Sequence, residues 1–253
     1  MRIDLNSDMG ESFGAYSIGH DAGLMTSITS ANIAAGFHAG DPSVLRQTIR
    51  LAKKHGVAVG AHPGFPDLVG FGRRELKVTP SEAEDFVLYQ IAAVAGVAAA
   101  EGVRLQHVKP HGALFNMAVK DAALAGAIAR AVAAFDKTLI LYGQPRSQIL
   151  KAGSAHNLRV AAEVFADRAY EPDGSLVSRH MAGSVIHDPQ LVVNRAVRMI
   201  KDGIVIAADG TPVGVEADTI CVHGDTPGSD DLAAALRAGL KAAGITVKAI
   251  GQP

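Results

Sequence analysis

Short aliphatic runs alternate along the chain with longer amphipathic stretches. The short runs read as strands over Arg2–Asn6, Asn32–Ala35, Val57–Ala61, Leu105–Lys109, Thr138–Tyr142, Leu158–Glu163 and Thr219–His223. The stretches between them carry helix signals. Asp41-Pro42 offers an N-cap with a first-turn proline, and Gly56 offers a left-handed stop. Thr79-Pro80-Ser81-Glu82 has the spacing of a capping box and opens a helix to about Glu101. Asp188-Pro189 repeats the Asp-Pro device, and Ser229 or Asp230 opens a last helix. About seven βα units in strict alternation predict a parallel sheet covered by helices, and the number favours a closed or nearly closed barrel. No Gly/Ser-rich or charged linker divides the chain, so residues 1–253 read as one β/α-barrel domain. Tyr170–Gly183 and Ile204–Gly214 fit the repeat poorly. They read as inserted segments, the second with a hairpin turning at Asp209-Gly210.

In parallel βα folds, ligands bind at the carboxyl ends of the strands. The ionisable residues gather at those ends: Asp8 and Glu11, then His38 and Asp41, then His62, Asp67, Arg73 and Arg74. Further on come Lys109 and His111, then Glu163, Asp167 and Arg168, then His223 and Asp225. Asp4, Asn6 and Asp8 share a two-residue spacing that points all three to one face of an extended strand, here the barrel interior. His38, His62, His111 and His223 are each followed within two residues by glycine, which lets backbone approach a ligand closely. Plainer roles compete at some positions. Asp41 and Asp188 are caps first, Asp225 suits a turn before Thr226-Pro227, and Cys221 reads as core. Adjacent arginines cannot both reach one site, so one of Arg73 and Arg74 is solvated or paired with Glu75. Lys109 ends an apolar strand directly before proline, where a lysine is either paired or functional.

Charge and motif content narrow the classes. Twenty-four basic and 25 acidic residues give a net charge of -1, which speaks against nucleic-acid and membrane-surface partners. A single cysteine excludes an internal disulfide and suits a reducing compartment. The opening MRIDLNSDMGE has no signal-peptide pattern, and Ile91–Ala100, the most apolar segment, is too short to cross a bilayer. A cytoplasmic protein is the expectation. Dinucleotide, Walker-type, G-x-S-x-G and H-E-x-x-H motifs are absent. No spacing specifies a bound metal. If one is held, Asp8, His38 and His62 are its ligands.

Six motifs in order along nearly the whole chain carry a resemblance: DLNSDMGESFG (4–14), NIAAGFHAGDP (32–42), AHPGFPDLVGFGRR (61–74), VKPHGALFN (108–116), EVFADRAY (163–170) and VHGDTP (222–227). With these the chain resembles the A subunit of bacterial ATP-dependent 5-oxoprolinase. The resemblance implies a distorted seven-stranded parallel β/α (TIM-like) barrel, similar to the glycoside hydrolase/deacetylase fold. It also implies the opening of 5-oxo-L-proline to L-glutamate coupled to ATP hydrolysis. The chain lacks an ATP loop, so ATP and its Mg²⁺ fall to companion subunits B and C. Two departures from the family pattern stand at Ala35, commonly cysteine, and Phe115, commonly tyrosine.

On this reading Asp8, Glu11, His38, His62, Lys109, His111 and Asp225 are catalytic. Asn6, Arg73, Arg74, Glu163 and His223 hold substrate. Asp8 or Glu11, oriented by His38 or His62, activates water. His111 or His223 protonates the leaving nitrogen if its pKa lies near neutrality. Lys109 and one arginine hold anionic groups. Two other readings stay open: a metal-dependent amide hydrolase of the deacetylase kind, and a non-catalytic subunit that binds a small anion. A homo-oligomer is compatible with either.

Overall fold

The computed structural model describes residues 1–178, 181–222 and 228–252. In chain order they form β1 (Arg2–Met9), α1 (Asp21–Leu24), β2 (Ser30–Ala34), α2 (Pro42–His55), β3 (Ala58–His62), α3 (Pro80–Ala100) and β4 (Leu105–Val108). Then come α4 (Gly112–Lys120), α5 (Ala122–Phe135), β5 (Ile140–Gly143), α6 (Gln148–Ala155) and β6 (Arg159–Val164). The last third holds α7 (Pro189–Lys201), β7 (Ile204–Ile206), β8 (Pro212–Gly214), β9 (Thr219–Val222), α8 (Ser229–Ala242) and β10 (Thr246–Val247).

Seven parallel strands run β1-β2-β3-β4-β5-β6-β9, and β9 pairs back onto β1, which closes the barrel. β10 adds to the start of β1 outside this ring. β7 and β8 form an antiparallel hairpin about the Asp209-Gly210 turn, as the sequence predicts. β1 extends three residues beyond its expected end because Ser7, Asp8 and Met9 continue the pairing with Ala31, Asn32 and Ile33.

The helix signals act as read. Asp41 accepts the N–H groups of Ser43 and Val44, and Gly56 closes α2 at φ 67°. Thr79 and Glu82 form a reciprocal capping box at α3, and Asp188 caps α7. α3 is 21 residues long and by length and composition apolar enough to span a bilayer, which Ile91–Ala100 alone is not. Here it lies on the barrel wall, burying Val87, Ile91, Val94 and Ala98, with buried Gln90 bonded to both backbone groups of Gly64.

Alternation along β1 divides the interior into two environments. Ile3, Leu5 and Met9 face outward into the apolar layer beneath the helices. Asp4, Asn6 and Asp8 face inward. Barrel interiors are ordinarily filled by branched apolar side chains, but this one is polar and satisfied by its own partners. Asp4 accepts from Thr29, Ser30, Thr219 and Tyr142. Burial raises its pKa, and these hydroxyls oppose the rise. Asn32 donates to Asn6 and Asp8, and His107 Nε2 lies 2.8 Å from Asn32 Oδ1. The His107 ring stacks on Tyr142 and fills the space in front of Gly60, where a Cβ would run into it. Gly60→Ala should therefore destabilise the protein by about 1–3 kcal/mol through overpacking. Urea unfolding checks this, and an unchanged midpoint would mean that the interior is loosely packed.

Candidate active site

The carboxyl ends of the strands surround a cavity of about 560 Å³. Asp8, Glu11, His62, Lys109 and His111 line it, with Arg73 at its edge. Its far wall is Ser175–Ser178, from the segment that breaks the βα repeat. Arg168 holds that wall in place by donating to the carbonyls of Val177 and Ser184.

Lys109 stands at the centre. Its Nζ lies 2.8 Å from Asp8 Oδ1, 2.9 Å from Glu163 Oε1 and 3.1 Å from Cys221 Sγ. Burial pulls the lysine pKa down, but the carboxylates of Asp8 and Glu163 more than reverse this, so the ammonium stays charged. Burial raises the Glu163 carboxyl, Lys109 opposes the rise and Asp8 adds to it. Two carboxylates thus share one cation, and Glu163 is the one driven toward protonation. Burial also keeps Cys221 a neutral thiol.

Beside this cluster three histidines lie close together. His62 Nδ1 is 2.7 Å from the Lys109 carbonyl oxygen, and His62 Nε2 is 3.3 Å from Asp8 Oδ2. His111 Nδ1 is 2.9 Å from His62 Nε2. His38 stacks on His111 with ring centroids 3.8 Å apart. Burial, with the neighbouring histidines, depresses His38 well below the ordinary range and brings His111 to about 3. His111 is then neutral near pH 7, and the condition set for it as a general acid is not met.

The 61–74 loop works as a clamp. Asp67 accepts from Gly70 N–H and pairs with the Arg74 guanidinium. Phe71 adopts φ 54°, an uncommon conformation for a side chain of its size, and this delivers its carbonyl to His111 Nε2 at 2.8 Å. Gly72 and Gly112, both at positive φ, pass so close that a Cβ on Gly112 would strike the Gly72 carbonyl.

The structure thus separates the two arginines. Arg73 lies over the Phe71 ring at 4.9 Å and borders the cavity. Arg74 is committed to Asp67, not to Glu75 and not to a ligand. Asn6 and Glu163 are corrected in the same way. Both are fully buried beneath Lys109, where they position it, and neither lines the cavity. His38 sits behind His111 with no exposed surface. His223 and Asp225 lie outside the described residues. Sequence reasoning missed the polar side of Cys221, although its two-residue spacing from His223 placed it on an inward face. It also missed Asn32 and His107, which no strand-end rule selects.

A closed, TIM-like α/β barrel with a buried lysine–carboxylate–histidine constellation at its carboxyl-end mouth is therefore the class of this protein. The chain belongs to the LamB/YcsF family, which it matches over residues 3–253. It is 56% identical over 248 residues to the 5-oxoprolinase A subunit of Chloroflexus aggregans, covering 98% of each chain. It is 54% identical to the 5-oxoprolinase A subunit of Thermococcus onnurineus, covering 100% of this chain and 99% of that one. The crystal structure of the lactam utilization protein from Thermus thermophilus superposes with a TM-score of 0.94 at 49% identity, covering 99% of this chain and all of that one.

Lys109→Met removes the only cation within the Asp8–Glu163 cluster among the described residues. Stranding a buried charge costs about 3–5 kcal/mol, so the variant should be destabilised by that order at neutral pH. A Glu163 without its cation has a folded-state pKa above its unfolded value. The stability it contributes is present in acid and lost as pH rises, so the deficit should shrink in mild acid. Glu163→Gln in the Lys109→Met background should recover part of the loss. Urea titrations of the two variants at both pH values measure this, and a pH-independent deficit would contradict it.

Proposed function

We propose that this chain is the lactam-opening subunit of an ATP-dependent 5-oxoprolinase, working with companion subunits B and C. The observation that carries the reading is the pairing of opposite charges in one cavity: Arg73 and Lys109 beside Asp8 and Glu11. A substrate with a carboxylate at one end and an amide at the other meets a complement for each. The names of the relatives, which speak of 5-oxoprolinase and of lactam utilization, support the same substrate class.

Opening an unstrained five-membered lactam is slow because amide resonance protects the carbonyl. Coupling to ATP supplies the drive. Arg73, exposed at the rim over the Phe71 ring, holds the substrate carboxylate. Lys109, fixed and charged at the floor, faces the carbonyl oxygen, or a phosphate if the lactam arrives phosphorylated. Asp8, hydrogen-bonded to both Lys109 and Asn32 and close to His62, is placed to take a proton from attacking water, with Glu11 as the other carboxylate in reach. His62 and His111 stand beside Asp8 and orient these groups. ATP and its Mg²⁺ are handled by the companion subunits, in keeping with a chain that carries no Walker-type loop.

The test is reconstitution. This chain alone, given ATP, Mg²⁺ and 5-oxoproline, should release neither glutamate nor ADP, and the complex with both companions should release both. Arg73→Ala should raise the KM for 5-oxoproline by roughly 10- to 100-fold, matching the ~1.5–3 kcal/mol of a lost charged hydrogen bond. Its melting temperature should fall only slightly, because the side chain is exposed and its stacking on Phe71 is a surface contact worth about 0.5–1 kcal/mol. Glutamate and ADP from the single chain, or a normal KM in Arg73→Ala, would refute the corresponding assignment.

A further inference from the structure

The hydrogen-bond chain through His62 and His111 does not balance with two neutral rings. It ends at both sides on backbone carbonyls: Lys109 O, 2.7 Å from His62 Nδ1, and Phe71 O, 2.8 Å from His111 Nε2. A carbonyl oxygen only accepts, so both of these nitrogens carry hydrogen. The remaining nitrogens, His62 Nε2 and His111 Nδ1, then present bare lone pairs to each other at 2.9 Å. Two facing lone pairs repel, and a positive centre has to lie against them. One cation shared by both nitrogens satisfies the two lone pairs at once while leaving both outer N–H groups on their carbonyls.

Two further residues face the same point. His38 is fully buried, and neither of its ring nitrogens has a hydrogen-bond partner among the described residues. Such a group is costly unless something external binds it. Glu11 is also buried, and its carboxylate comes within 3.9 Å of His111 Nδ1. One ligand atom from each of Glu11, His38, His62 and His111 lies within 4.8 Å of every other.

We infer that Glu11, His38, His62 and His111 form a binding site for one divalent transition-metal cation. Three neutral imidazoles and one carboxylate suit zinc, cobalt, nickel, iron or manganese, and not magnesium or calcium. Metal-ligating histidines ordinarily donate their outer N–H to a backbone carbonyl or a carboxylate. His62 and His111 have that arrangement here, with the strained Phe71 backbone supplying one acceptor. The 2.9 Å between their inner nitrogens fits two neighbouring ligands about 2.1 Å from a shared ion. Two ligands at that bond length cannot stand more than about 4.2 Å apart.

The set differs from Asp8, His38 and His62, the sequence-based choice. Asp8 is turned to Lys109 and Asn32, and Glu11 and His111 complete the site. When bound, the ion supplies Lewis-acid polarisation of a substrate carbonyl. The inference deepens the proposed lactam chemistry, but the site itself rests on geometry alone.

The experiment uses the full chain, stripped with a chelator and titrated with Co²⁺. The expected result is one saturable Co²⁺ per chain with a visible d–d spectrum of nitrogen and oxygen ligation, displaced by Zn²⁺. His38→Ala and His111→Ala, checked for folding by circular dichroism, should each weaken Co²⁺ binding on the order of 100-fold, at or beyond the upper end for loss of an outer-shell partner. X-ray absorption of the Zn²⁺-loaded wild-type chain, which needs no variant, should show several imidazoles. Absence of saturable binding, ligation by oxygen alone, or unchanged affinity in folded variants would each overturn the site. Glutamate formation by a reconstituted complex that binds no ion would sink the metal and spare the lactam reading. A well-formed metal site in a complex that leaves 5-oxoproline intact would do the reverse.

Discussion

The Lys109 ammonium lies 2.8 Å from Asp8 and 2.9 Å from Glu163, inside a barrel whose wall shuts out water. The other polar groups of the interior are arranged in relation to that charge. Asn32, itself tied to Asn6, holds Asp8 in line, and the lysine's own carbonyl fixes the ring of His62. Hydration would satisfy each of these groups separately. Once water is excluded they can be satisfied only by one another, and only in one geometry. The same exclusion makes the cation useful, because a charge in a low-dielectric pocket acts on a bound substrate far more strongly than it would in water.

Rigidity comes from backbone as well as from side chains. Gly72 and Gly112 let two loops touch where a methyl group would hold them apart. Phe71 keeps an unfavourable backbone angle so that its carbonyl meets His111. Strain of this kind persists only where the surroundings over-determine the conformation. The Asp67–Arg74 pair and the Gly72 N–H to Asp67 carbonyl bond supply that determination from the rim. The 61–74 loop therefore divides its charges between two duties, with Asp67 and Arg74 holding its shape and His62 and Arg73 turned to the cavity.

The barrel was legible because periodicity is a local property. Two-residue alternation in RIDLNSD and the Asp-Pro and Thr-x-x-Glu caps are written within single elements, and each forms as read. The strand-end rule likewise brought Asp8, Glu11, His62, Lys109 and His111 to one mouth. Depth was not legible. Nothing near Glu163 distinguishes a carboxylate that lines a cavity from one sealed beneath it. That difference is set by Asn6 and Lys109, which lie more than fifty residues away. The fates of Arg73 and Arg74 turn on the path of a loop whose decisive angle, at Phe71, belongs to a residue type that rarely adopts it. Cys221 looked apolar because its neighbours are, and only its register against Asn6 turns it toward the lysine.

The ion pairs at positions 8, 109 and 163 join β1, the residue that follows β4, and β6, segments far apart in sequence. They need the ends of all three segments in place at once, which the closed ring of strands supplies. A strand that docked one residue out of register would turn its inward side chains outward. For β4 or β6 that would leave Lys109 or Glu163 in the apolar layer beneath the helices, at a cost no hydrophobic gain there would offset. The charged interior thus acts during folding as a proofreading step. It penalises wrong closures.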